Sequence, residues 1–190
     1  MKISKILLVT FLSATFLYSP AQTETPKGYK KGMLVLADNN TVSGSIKDNI
    51  HSHALVSIIP EAGGKKKNYH GSDLISAEID GVKYLCIGGD FFRIISDGRL
   101  GFLQKSSDAQ GRVVYNGNEP IFLNGTDGKP GDHYIYNSSS KQLKMVSKKN
   151  INEVTALVFA GNSAAIDKAK EVNGDVAQLK DAVEIYNSNN

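Results

Sequence analysis

The sequence contains a single cysteine, no tryptophan and no apolar run long enough to cross a membrane. With Cys86 as the only thiol, no disulfide can form within the chain. The main apolar run, residues 6–17, has 12 residues, whereas a membrane-spanning helix needs about 20. The sequence therefore predicts neither a disulfide scaffold nor stable membrane insertion.

The first 21 residues have the pattern of a secretory signal peptide. Lys2 and Lys5 precede the apolar run, and Ser19-Pro20-Ala21 places small residues three and one before a cleavage point. We therefore expect cleavage after Ala21 and a soluble mature chain in the periplasm or outside the cell. Loss of the two lysines lowers the formal net charge from +3 to +1.

This near-neutral charge argues against a polyanion as partner. The one basic run, Lys65-Lys66-Lys67, follows Gly63-Gly64, a pattern typical of a solvated hairpin tip. Nucleic-acid-binding domains usually show a basic stripe with interleaved aromatic residues. We therefore expect no nucleic-acid partner.

Residues 33–146 consist of short apolar or alternating runs separated by turn residues. Asp80-Gly81, between the runs 74–79 and 82–87, suits a type I′ turn, in which both central residues have positive φ. Close spacing of strand-like runs favours an antiparallel meander, forming a sandwich or a barrel, over parallel βαβ units.

From residue 148 the apolar pattern acquires the period of a helix. The clearest stripe comprises Val176, Leu179, Val183 and Tyr186. Asn150 with Glu153 also resembles a capping pair at the start of a helix. The sequence thus predicts an α+β fold: a mainly antiparallel β-rich domain, residues 22–147, with a short C-terminal helical segment, residues 148–190, packed on it.

Several short motifs together suggest a group of proteins. They are Gly28-Tyr29, Asp38 followed by Thr41-x-x-Gly44-x-Ile46-Lys47, Asp80-Gly81-x-x-Tyr84 and a final Tyr186-Asn187. This combination resembles a group of uncharacterised exported proteins from Gram-negative bacteria of the Bacteroidetes type. The resemblance implies export and strands followed by helices, but it implies no activity and no site residue.

Two stretches contain potential metal ligands. His51 and His53 share a strand face near Asp48, which suits zinc, although a polar loop after a strand has the same composition. Residues 124–128 are rich in Asn, Asp and Gly, but in the EF-hand register Tyr134 takes the place of the glutamate ligand. We therefore expect no metal and no cofactor.

No motif indicates an enzyme. Cys86 lies in an apolar strand-like run without a histidine at any spacing typical of a catalytic pair, so a buried, inert thiol is expected. The acidic residues mostly occupy turns, as do Asp38, Asp80, Asp97 and Asp127. Gly88-Gly89-Asp90 is also interpreted as a turn, because a phosphate loop requires a following lysine and helix.

Aromatic residues provide the one indication of a binding surface. Tyr134 and Tyr136 alternate, so both rings fall on one strand face, where they could stack on a sugar or a peptide or pack across strands. Phe91 and Phe92 must point to opposite faces, which suggests that both faces are covered there. The helical segment is a candidate for the second cover.

Two functional hypotheses remain. The first is a non-catalytic interaction module of the cell envelope or exterior, which contacts another protein through a sheet face or edge. The second is a binder of a small glycan or lipid-like ligand. A pocket with apolar walls and a few converging polar groups would favour the second, and a flat apolar patch would favour the first.

Overall fold

A computed structural model describes residues 25–116, 119–123 and 125–188, so the predicted signal peptide, residues 1–21, lies outside the described part. The strands are β1 (Lys30–Leu36), β2 (Thr41–Asn49), β3 (Leu55–Pro60), β4 (Lys67–His70), β5 (Leu74–Ile79), β6 (Val82–Ile87), β7 (Asp90–Ser96), β8 (Leu100–Lys105), β9 (Arg112–Asn116), β10 (Glu119–Leu123), β11 (His133–Asn137) and β12 (Gln142–Val146). The helices are α1 (Ile50–His53), α2 (Ile151–Val158), α3 (Ser163–Lys170) and α4 (Leu179–Ser188).

Ten strands form one antiparallel sheet in the order β12-β11-β8-β7-β6-β5-β1-β2-β3-β4, and β9 pairs with β10 in a separate hairpin. The prediction of a mainly antiparallel α+β fold is confirmed. The sheet is open, with β4 and β12 at its edges, and it is neither a two-sheet sandwich nor a closed barrel. The Asp80-Gly81 turn between β5 and β6 has positive φ at both residues, 54° and 77°, as expected.

One half of the sheet curls around its own core. β4 and β5 are four strand intervals apart, about 19 Å in a flat sheet, yet the three residues 71–73 that join them span at most about 14 Å. The strands must therefore bend towards each other. Within the bend, Leu34, Ile46, Val56 and Ile58 are fully buried.

The other half of the sheet is covered on one face by the C-terminal helices. Leu100, Phe102, Ile135 and Val146 pack in one cluster with residues of the helical segment that include Phe159, Leu179, Val183 and Tyr186. Burial of this many apolar side chains is the main stabilising contribution of the segment. In the described residues, no helix has the length and apolar character needed to cross a membrane.

A side-chain amide fastens the last helix to the sheet. Asn187 accepts a hydrogen bond from the Leu100 backbone N–H at 3.0 Å and donates to the Leu100 carbonyl at 2.8 Å. The amide thus provides hydrogen-bond partners for the N–H and the C=O of Leu100, as the backbone of a neighbouring strand would. Gly98 makes room for this contact, because a Cβ there would lie 2.5 Å from the Asn187 amide nitrogen.

The starts of the helices differ in detail from the predicted caps. Asn150 makes no cap hydrogen bond to α2, and its side-chain oxygen instead accepts from the N–H and hydroxyl of Ser147. Asn162 does cap α3, by accepting from the Ala165 N–H at 3.0 Å. The Asn150 side chain therefore stabilises the turn before α2 and does not form the predicted capping pair with Glu153.

Phe91 and Phe92 are both fully buried and belong to different clusters, which confirms that both faces of β7 are covered. The cover of Phe92 does not come from the helices, because its ring packs with Leu103 and Tyr134. The helical segment covers neighbouring strands on the opposite face.

The Cys86 thiol is expected to be unreactive. Cys86 is partly buried and packs against the cluster of the curled half, and burial raises the pKa of its thiol from 9.0 to about 12. Near neutral pH the reactive thiolate is therefore about 1,000-fold rarer than for an ordinary thiol. Maleimide labelling at neutral pH should be correspondingly slow, and it should become fast in denaturant. Native labelling at the rate of a free thiol would contradict this description of the site.

Candidate functional site

A buried ion pair lies at one end of the sheet face that the helices leave uncovered. Asp90 begins β7 and Lys105 ends β8, and Lys105 Nζ is 3.2 Å from the Asp90 carboxylate with both side chains 0% exposed. Lys105 Nζ also donates to the carbonyl oxygens of Thr126 at 2.6 Å and Gly128 at 2.9 Å. Two carbonyl oxygens and one carboxylate oxygen thus surround the buried ammonium group.

Both carboxylate oxygens of Asp90 are equally well supplied with donors. Oδ1 accepts from the Ser107 hydroxyl at 2.9 Å and the Ala109 N–H at 2.8 Å. Oδ2 accepts from the N–H and the hydroxyl of Thr126, both at 2.8 Å. A charged pair taken out of water is tolerated only with such complete hydrogen bonding.

The ion pair holds both ends of the β9–β10 hairpin. Ala109 lies just before β9 and Thr126 lies just after β10, and both bind the same carboxylate. The two ends also approach each other closely, because a Cβ on Gly125 would lie 2.6 Å from the Gln110 backbone nitrogen. The base of the hairpin is thereby fixed to β7 and β8.

Beyond the ion pair, the same sheet face carries an open cleft with a volume of about 440 Å³. Its walls include the apolar side chains of Met33, Leu85, Ile94, Leu103 and Tyr136, contributed by β1, β6, β7, β8 and β11. We call this the sheet cleft. It lies opposite the helix-covered face.

Strand alternation explains why these residues share a face. Ile94 pairs with Leu103 across β7 and β8, and Leu85 pairs with Phe92, which lies two residues before Ile94 on the same face of β7. Gly101, two residues before Leu103, pairs with Tyr136 and leaves space beside that ring because it has no side chain. The sheet cleft is therefore a shallow depression between side chains of one sheet surface.

Charged residues of both signs surround the apolar centre of the cleft. Glu78 and Lys83 line it where β5 meets β6, and Asp97 and Lys141 line it at the opposite margin. Met33, on β1 at one margin of the cleft, is 40% exposed, although its side chain is large and apolar. The surface thus combines an accessible apolar centre with a charged rim.

The structure separates the two predicted tyrosines. Tyr134 is 2% exposed, its ring packs edge-on against Phe92 with centroids 5.1 Å apart, and its hydroxyl donates to the Asp127 carbonyl. Burial, followed by the charge of Asp132, raises the pKa of Tyr134 to about 12. Tyr136 is only partly buried and lines the sheet cleft. Tyr134 supports the loop, and only Tyr136 is placed to meet a ligand.

The candidate metal ligands do not converge. His51 and His53 are exposed on the short helix α1, and the Asp48 carboxylate accepts the Ile50 N–H at 2.9 Å. In the described parts of the chain, no group of three His, Cys, Asp or Glu side chains has an arrangement that could hold a metal ion.

Sequence reasoning missed both the ion pair and the cleft. The sequence of Gly88-Gly89-Asp90 indicates only a turn. Lys105 follows an apolar run, and a lysine at the end of a strand is usually solvated. Asp90 and Lys105 are also 15 positions apart, so no short sequence motif predicts their contact. The one sequence feature that points to the site is the short polar segment 106–110 between β8 and β9. In the structure this segment folds back onto the sheet and binds Asp90 through Ser107 and Ala109.

Comparison of the chain with models of protein families, with curated proteins and with solved structures finds no match.

Asp90→Asn should strongly destabilise the fold. The variant keeps the shape but removes the charge that pairs with Lys105, and its amide N–H₂ meets backbone donors. Breaking a buried ion pair on one side typically costs about 3–5 kcal/mol, to be measured by urea unfolding. The matched control is Asp80→Asn, which breaks the exposed pair with Lys30 and should leave the unfolding midpoint nearly unchanged. Equal effects of the two variants would contradict the assignment.

Proposed function

We propose that this protein is a non-catalytic interaction module that binds an aliphatic segment of a partner protein in the sheet cleft. The observation that carries the proposal is the accessible apolar centre on a sheet face whose opposite face is already covered by the chain's own helices. A surface of this kind on a folded domain is typical of a site that awaits a partner.

The composition of the cleft supports a protein partner. Protein interfaces combine an apolar centre with a polar rim, and the partner usually inserts one or two anchor side chains into a central pocket. Leu85, Ile94 and Tyr136, which are only partly buried, form such a centre, and Glu78 with Lys83 forms part of such a rim. Met33 adds adaptability, because an unbranched thioether side chain can adjust its shape to different anchors.

A small glycan or lipid-like ligand is less well supported. Sites for small molecules usually bury about 70–90% of the ligand, which a shallow depression between strands does not provide. Sugars also favour flat aromatic rings, and Tyr136 is one of only two aromatic residues among those that line the cleft. The cleft walls are mostly aliphatic, which suits Leu, Ile, Val or Met anchors of a peptide.

The proposed function includes no catalysis, because the buried candidate nucleophiles and bases among the described residues are engaged in structural contacts. Nucleophilic catalysis needs a hydroxyl or thiol beside a free base. In the described residues the hydroxyl of Ser107 and the carboxylate of Asp90 are buried and bonded to each other and to backbone groups. The partly buried thiol of Cys86 has a raised pKa. These features support a structural function for each group.

The location of the partner follows from the expected signal peptide. If residues 1–21 direct export, as their pattern predicts, the partner resides in the cell envelope or outside the cell. The resemblance to exported proteins of the Bacteroidetes type supports the same location.

Met33→Lys should weaken peptide binding without unfolding the protein. Peptides selected from a random display library on the protein are expected to be rich in aliphatic residues. Their dissociation constants should rise at least about 10-fold in Met33→Lys, which corresponds to about 1.4 kcal/mol. Titration by isothermal calorimetry gives the constants, and thermal unfolding verifies the fold.

Met145→Lys is the matched control, because Met145 is also a strand methionine, is 38% exposed and lies outside the cleft. Its dissociation constants should equal those of the parent. Equal binding by Met33→Lys, or failure to select any peptide that needs Met33, would refute the proposal. Specific binding of dodecanoate or of an oligosaccharide at Met33 would favour the small-ligand hypothesis instead.

A further inference from the structure

Within the part of the chain that the structure describes, the strands of the β9–β10 hairpin pair only with each other. This arm is a separate two-stranded sheet, although its base is fixed by the Asp90–Lys105 ion pair. Val113 is 40% exposed and Tyr115 is 72% exposed, and both lie on one face of β9. A two-stranded hairpin alone is only marginally stable in water, so further pairing would stabilise this arm.

The register shows which backbone groups of the arm point away from its own ladder. Asn116 pairs with Glu119, and two residues lie between them. The pair that closes such a turn is hydrogen-bonded, and hydrogen-bonded pairs alternate along the ladder. Positions 112, 114 and 116 therefore bond to β10, whereas the N–H and C=O groups of Val113 and Tyr115 point away from it.

The two edges of the arm are not equivalent. On β10 the outward positions are 120 and 122, and Pro120 has no N–H to donate, so this edge cannot continue a regular ladder. On β9 the outward positions are Val113 and Tyr115, which both have an N–H. The β9 edge is therefore the one able to accept another strand.

We propose that two copies of this chain pair through their β9 edges, antiparallel, about a two-fold axis at position 114. In this register Val113 of each copy faces Tyr115 of the other in a hydrogen-bonded pair. Each such pair forms two N–H···O=C bonds, so every outward group of both residues is satisfied. The two hairpins then form one continuous four-stranded sheet.

A second copy fits this edge for reasons of symmetry and side-chain contact. The two outward residues are spaced equally about position 114, so the edge is complementary to itself, as a two-fold interface requires. The pairing also places the exposed Tyr115 ring beside the exposed Val113 of the other copy. Aromatic and β-branched residues are favourable neighbours across strands.

Disulfide formation at single positions tests the register directly. In a Cys86→Ala background, Val114→Cys places two thiols in a non-hydrogen-bonded pair with Cα atoms about 4.5 Å apart, within the range of a disulfide. Tyr115→Cys is the matched control, because its Cα atoms are roughly 9 Å apart and cannot be bridged. We expect rapid covalent dimerisation of Val114→Cys and little of Tyr115→Cys under mild oxidation. Equal cross-linking of both variants, or none of Val114→Cys, would overturn the proposal.

Sedimentation equilibrium provides the second, cysteine-independent measurement. The parent should sediment as a dimer, and Val113→Pro, which removes an outward N–H without touching the bonds to β10, should sediment as a monomer that keeps the circular dichroism spectrum of the parent. A monomeric parent would overturn the proposal. So would a folded Val113→Pro variant that is still a dimer.

Discussion

The ion pair between Asp90 and Lys105 is the interaction on which the arrangement of β7, β8 and the β9–β10 hairpin depends. Moving two charges out of water costs several kcal/mol for each ion, and this cost is offset only when every donor and acceptor is satisfied. Here the required partners come from the segments on both sides of the hairpin, including Ala109 and Thr126. The pair can therefore stay buried only if both segments are in place, which couples the hairpin to the sheet.

This coupling links the two proposed surfaces. Ile94 and Leu103 of the sheet cleft lie on β7 and β8, the same strands that carry Asp90 and Lys105. The hairpin with its open β9 edge leaves the sheet directly after β8. The adjacent strands β7 and β8 thus carry side chains of the sheet cleft along their length and hold the β9–β10 hairpin at one end. The ion pair lies at that end, between the cleft and the hairpin.

The sequence predicted those features that short-range chemistry decides. Asp80-Gly81 specifies its turn because both residues need positive φ, and the stripe around Leu179 and Val183 identifies a helix that packs on the chain. It did not reveal the ion pair or the open form of the sheet, since these depend on contacts between distant segments. Tyr134 and Tyr136 share a strand face as expected, but only the tertiary position of the loop around Asp127 decides which of them is buried.

The most direct test of the coupling is native-state hydrogen exchange at the two amides that donate to Asp90. If the ion pair holds both ends of the hairpin, the Ala109 and Thr126 amides should exchange as slowly as amides within β7 and β8, since all four segments open together. Nuclear magnetic resonance resolves each amide separately. Exchange of both at the rate of an unfolded peptide, with β7 and β8 still protected, would contradict the account.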